Sequence, residues 1–202
     1  TQKYPEVLRK DEHGRLCQHG SRRHFSPASA KYRELSAKVA GKMAERFGKH
    51  PNVLGWQIGN EYCWISFDEE TRRMFQSWLK DKYGSLEALN ARWTSSYWSQ
   101  EYTDWSQIQL PIGWNNPCIS LEWHRFWTKV FCDFQQYQVE AIRKFSEPRQ
   151  WITHNAHNYN DIDFAEVLKD LDVVSWDPYP GGAPIDFTRF GWRSDFMRTL
   201  ND

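Results

Sequence analysis

The chain has 202 residues, 40% of them apolar and 26% charged, with Lys plus Arg equal to Asp plus Glu at 26 each. That length carries one domain with a sizeable core, and the mixture argues against disorder and against a membrane span. Balanced charge creates no field that would draw the chain to nucleic acid or to an anionic membrane.

Twelve Trp residues stand within an aromatic content of 16%. Bulky aromatics fill cores, but they also stack on sugar rings and bases, and composition alone favours the core. Cys17, Cys63, Cys118 and Cys132 show no close metal-ligand spacing and are expected as free, mostly buried thiols. No charged-then-apolar leader opens the chain, and a cytoplasmic location is the favoured expectation. The first residue is Thr1 rather than Met, which suggests that upstream sequence is missing.

In chain order, residues 1–29 mix Pro, Gly and charge without periodicity and are expected as loop. Ser26 as cap and Pro27 at the first helical position announce a helix to about Phe47, with Tyr32, Leu35, Val39, Met43 and Phe47 at helical spacing. The apolar run 53–58 suits a strand buried on both faces. Phe75, Trp78 and Leu79 mark a helix ending at Gly84, and Ser85 caps a short one after it. Residues 94–116 form a long aromatic loop, of the kind that is usually functional. A long amphipathic helix over about 119–145 follows. Strands at 150–154 and 172–176 flank a helix near 164–171, and the tail over 190–200 is expected as helix.

Strands alternating with helices imply an α/β fold with parallel pairing through right-handed crossovers. Each strand ends in polar or aromatic residues: Asn60 and Glu61, then Asn155 and His157, then Asp177 and Tyr179. Such residues at the carboxyl ends of parallel strands are what the active face of a (β/α) barrel presents. A carboxyl beside Asn60, with Trp56, Tyr62 and Trp64 near in sequence, fits the general acid of a glycosidase, because protonating a glycosidic oxygen requires a carboxyl whose setting favours its neutral form. The alternative is a Glu that caps the next helix or pairs with an Arg.

"HPNVLGWQIGNEY", preceded by "GSRRHF" and followed by "WLKDKYGSLEALNARW", "YWSQ" and "DVVSWDPYP", resembles glycoside hydrolase family 42, the bacterial β-galactosidases, in the same order over nearly the whole chain. The resemblance implies a (β/α)8 barrel that hydrolyses terminal β-galactosides with retention and no cofactor. One Glu after the fourth strand is acid/base, and another after the seventh is nucleophile. Carried over by motif, Glu61 is the acid/base and Asn60 bonds the sugar 2-hydroxyl. Arg22 holds the acid/base region or a sugar hydroxyl, with a surface loop charge as its bland alternative. Trp98 and Tyr179 line the galactose pocket, with core packing as the rival.

Some members carry a zinc site, but Ser26 stands where its first cysteine would be and only Cys63 follows the Asn-Glu pair, so no such zinc is expected. His154 and His157 are expected in a loop hydrogen-bond network rather than on a metal. By resemblance the three strands are the fourth to sixth of eight, so residues 1–202 are the central portion of the catalytic domain and the nucleophile is not among them. Asp177 and Asp186 are the nearest substitutes by position, and neither is expected to attack. The expected fold is therefore an incomplete barrel of three parallel strands, probing two open edges that either belong to an excised piece or are hidden by self-association into a homo-oligomer. The expected substrate is a galactoside or galacto-oligosaccharide. The rivals are another glycosidase of the same clan, a carbohydrate-binding scaffold that lost catalysis, and an oligomer interface built from the Trp-rich loops.

Overall fold

The computed structural model describes residues 1–157, 161–179 and 186–201. In chain order its elements are α1 (Ala30–Phe47), β1 (Gly55–Gln57), α2 (Glu69–Tyr83), α3 (Leu86–Trp93), α4 (Pro117–Arg143), β2 (Trp151–Ala156), α5 (Phe164–Leu168), β3 (Val173–Trp176) and α6 (Phe187–Arg198). They form two compact units, Thr1–Ser29 with Trp64–Trp127, and Ala30–Cys63 with Thr128–Asp202. Among the described residues no helix is long and apolar enough to cross a membrane.

In the first unit, α2 starts where Asp68 accepts the Thr71 N–H at 2.7 Å and stops at Gly84. Ser85 then caps α3 by accepting the Ala88 N–H at 3.2 Å. These side chains satisfy donors that a helix start leaves open. The core beneath is aromatic: Phe75 is fully buried and meets Trp123 edge to face at 5.2 Å. The long loop is ordered by its own polar groups. Asn90 donates to Tyr102 O at 2.7 Å and accepts its N–H at 3.0 Å, while Asp104 and Gln107 close a capping box around a short turn.

The second unit carries the sheet, three parallel strands in the order β1-β2-β3, with Gln57 opposite Thr153 and Ala156 opposite Trp176. A parallel pair needs a crossover, and α2, α3 and α4 lie in sequence between β1 and β2, with α5 between β2 and β3. Ile58, Ile142, Ile152, Ala156, Leu168, Leu171 and Met197 form one core cluster with Ala44. β2 lies between two neighbours, and Ile152, His154 and Ala156 on it are buried. Gly55 faces its register partner Trp151 so closely that a Cβ would come within 2.1 Å of the indole, which leaves room only for glycine.

Four expectations need correction. The run 53–58 is not buried on both faces: β1 is confined to three residues at the edge of the described sheet, and Leu54 is exposed. α1 begins at Ala30, because Ser26 Oγ accepts the Ala28 N–H in a turn of its own. Val39, Met43 and Phe47, expected to pack, are exposed, and the smaller Ala40 and Ala44 face the core instead. The four cysteines are free, but each is half-buried rather than buried.

Candidate active site

Two side chains of β2 hold the turn that follows β1. His154 is fully buried, with Nε2 accepting the Tyr62 N–H at 3.3 Å and Nδ1 donating to Ile58 O at 2.8 Å. Since Nε2 accepts, the proton sits on Nδ1 and the ring is neutral. Burial pulls this imidazole down to about 4, against the opposing pull of the Ile58 carbonyl and Glu61. The Tyr62 ring lies flat on His154 at 3.8 Å and on Phe131 at 4.8 Å, and burial pushes its phenol far up.

Asn155 does the second part. Its Oδ1 accepts the Glu61 N–H at 3.2 Å, and its Nδ2 donates to Asn60 Oδ1 at 3.1 Å and to Asp177 Oδ2 at 2.7 Å. One amide thereby ties the ends of all three strands together.

The turn itself is strained. Gly59 has φ +61°, and a Cβ there would lie 2.5 Å from the Tyr62 ring. Glu61 has φ +44°, a region that costs a residue with a Cβ about 1–2 kcal/mol. Such strain persists only where surrounding contacts over-determine it, and it concentrates at working sites. The result is a carboxyl only 5% exposed at the carboxyl end of β1. Its Oε2 accepts from Asn60 Nδ2 at 3.2 Å, and its Oε1 lies 3.7 Å from His157 Nε2. The carboxyl does not cap α2, which Asp68 does.

Of the residues expected at a site, the structure brings Asn60 and Glu61 together and adds Tyr179 through His157, whose ring is 5.6 Å from the Tyr179 ring. Tyr179 is exposed, not packed in a core. Trp98 is exposed as well, with φ +60° and its ring 4.9 Å from Tyr97 and 5.8 Å from Trp114. Arg22 is exposed on its loop in the first unit; its neighbour Arg23 lies over the Trp64 ring at 5.1 Å. Asp186 caps α6 by accepting the Arg189 N–H at 2.9 Å, and Asp177 is engaged by Asn155. Among the described residues no group of three His, Cys, Asp or Glu is placed to hold a metal ion. Residues 158–160 of the "THNAHNYND" stretch and Pro180 of "WDPYP" lie outside the described residues.

The hydrogen-bond network expected of His154 is present, on β2 rather than in a loop, but the sequence did not show that His154 and Asn155 hold the turn bearing Glu61. Both follow from register: Asn155 lies two residues beyond the Gln57–Thr153 pair, toward the same sheet end as Glu61. That pairing is legible only once the strands are aligned.

Known proteins resemble this chain along its whole length. The glycoside hydrolase family 42 model, described as beta-galactosidase, matches residues 1–202. Beta-galactosidase BgaP of Planococcus sp. strain L4 is 36% identical over 99% of the chain, and beta-galactosidase BglY of Alicyclobacillus acidocaldarius is 38% identical over 88%. The crystal structure of the beta-galactosidase from Rahnella sp. R3 covers 98% of the chain at 35% identity with a TM-score of 0.93. The chain spans 31% and 26% of the two curated relatives and 30% of the Rahnella chain.

Proposed function

Because the chain belongs to glycoside hydrolase family 42, the beta-galactosidases, we propose that its residues are the central portion of a (β/α)8 catalytic domain whose complete form is a retaining β-galactosidase. The substrate is a terminal β-D-galactoside or a galacto-oligosaccharide. Glu61 is the acid/base. It gives its proton to the glycosidic oxygen as the bond to the galactosyl carbon breaks, while a second carboxylate, contributed from outside these residues, attacks that carbon. Glu61 then takes a proton from the water that releases galactose. Retaining chemistry asks for two carboxyls only about 5 Å apart, with one able to alternate between acid and base.

The observation that carries this proposal is the setting of Glu61: a nearly buried carboxyl at a strand's carboxyl end, held in left-handed backbone by β2. Burial favours the protonated form of a carboxyl, as the first step requires. Asn60, bonded to both Glu61 and Asn155, presents its amide beside that carboxyl and bonds the sugar 2-hydroxyl. Tyr179, exposed next to His157, offers a ring to the sugar. Arg22 and Trp98 are assigned to galactose by their family motifs, and the exposure of the Trp98 indole suits stacking.

The test is Glu61→Gln in the complete protein. Hydrolysis of a galactoside with a poor leaving group falls about 10²–10⁴-fold, the usual contribution of a general acid. A leaving group that needs no proton suffers less in the first step. Equal loss with both substrates, or no loss, removes Glu61 from the role.

A further inference from the structure

Glu61 and His157 each follow one of two neighbouring parallel strands. Gln57 is paired with Thr153, and each of the two residues lies four positions further on, 57 to 61 and 153 to 157. Beyond β1 the chain does not stay extended, since Gly59 and Glu61 both have left-handed φ, yet the two side chains meet. There His157 Nε2 lies 3.7 Å from Glu61 Oε1, while the other carboxyl oxygen takes the Asn60 amide. The two oxygens are thus distinguished by different partners. The imidazole is about one-quarter exposed and meets the exposed Tyr179 ring at 5.6 Å.

We propose that His157 is a positioning residue for Glu61, orienting its Oε1 and setting the ease with which that carboxyl gives up and regains a proton. The proposal rests on the acid/base role of Glu61. A positive charge at that distance favours the ionised carboxylate. That suits the second half of a retaining cycle, in which Glu61 must act as base. Titratable groups near the pair, among the described residues, include His154, whose buried ring also feels Glu61, Asp177, reached through Asn155, and Tyr179.

The experiment uses the complete protein with His157→Phe, which keeps a flat ring beside Tyr179 but has no N–H, and His157→Gln, which restores a neutral donor. The pH profile of kcat/KM is measured alongside galactose affinity and thermal unfolding. In the Phe variant the rate on a poor-leaving-group galactoside falls about 10-fold or more, a share of the general-acid contribution. Its alkaline limb is displaced upward, because the nearby imidazole no longer favours the ionised carboxyl. His157→Gln recovers most of the rate but keeps the displaced limb, and galactose affinity stays within about threefold in both, less than one good contact would change it.

An unchanged rate and profile in the Phe variant overturns the proposal, as does equal loss of rate and galactose binding in both variants. Should His157→Phe fail to fold, His157→Gln decides alone, and an undisplaced alkaline limb overturns the proposal. Full activity in Glu61→Gln is a separate failure, because it removes the acid/base reading itself. An inactive Glu61→Gln together with unaltered His157 variants removes only the role of His157.

Discussion

At the scale of single residues, the turn from Gly59 to Tyr62 concentrates strain, burial and polar chemistry within one span. Gly59→Ala must place a methyl in left-handed backbone and against the buried Tyr62 ring. The expected loss is about 2 kcal/mol or more, which chemical unfolding of the complete protein measures. His154 makes the same turn sensitive to acid. Its folded value is about 4 against an ordinary 6.5, so the unfolded chain binds the proton more readily. The stability it contributes is complete above about pH 6.5 and is lost as pH falls toward about 4, amounting to about 3 kcal/mol. Urea midpoints between pH 7 and pH 4 follow that loss, and His154→Gln flattens it at lower overall stability. A slope unchanged by that replacement would assign the acid sensitivity elsewhere.

At the scale of elements, helices were legible wherever a cap and a 3.6-residue period coincided. Gly84 and Ser85 mark the α2–α3 boundary in the sequence and in the structure alike. Ser85→Ala is expected to cost about 1 kcal/mol by thermal unfolding, since the Ala88 N–H then loses its acceptor. α1 shows where periodicity fails. Its large apolar residues and its small ones each recur at helical spacing, and only the neighbouring sheet decides that Ala40 and Ala44 face inward. Glu122 on α4 had no sequence signal at all. It is 3% exposed and accepts from Lys82 Nζ at 2.5 Å, Arg125 Nη1 at 2.8 Å and the Tyr83 hydroxyl at 3.0 Å. Each donor is ordinary on its own helix and becomes a partner only through packing.

At the scale of the whole molecule, three strands in one described sheet leave β1 and β3 at its edges. Exposed apolar side chains lie on α1 and α6, including Val39, Met43, Trp192 and Phe196. Unpaired edges and exposed apolar faces attract other chains. The 202-residue chain alone is therefore expected to associate with rising concentration in light scattering. On the proposed reading it supplies one of the two carboxyls, so it hydrolyses no β-galactoside by itself. Clear turnover by the isolated chain would mean that a carboxyl within it attacks, and would reopen the roles of Asp177 and Asp186.

The alternation of strand and helix, the caps of α2 and α3 and the placement of Asn60 and Glu61 after a strand are all properties of short stretches, and the sequence alone determined them. Backbone geometry and side-chain period act within a few residues, which is why they can be read in one dimension. Tertiary structure alone decided that His154 and Asn155, more than 90 positions away, grip the turn bearing Glu61. It also decided that His157 stands against the carboxyl of Glu61. Those contacts depend on strand register, which many residues fix jointly and which no local pattern encodes.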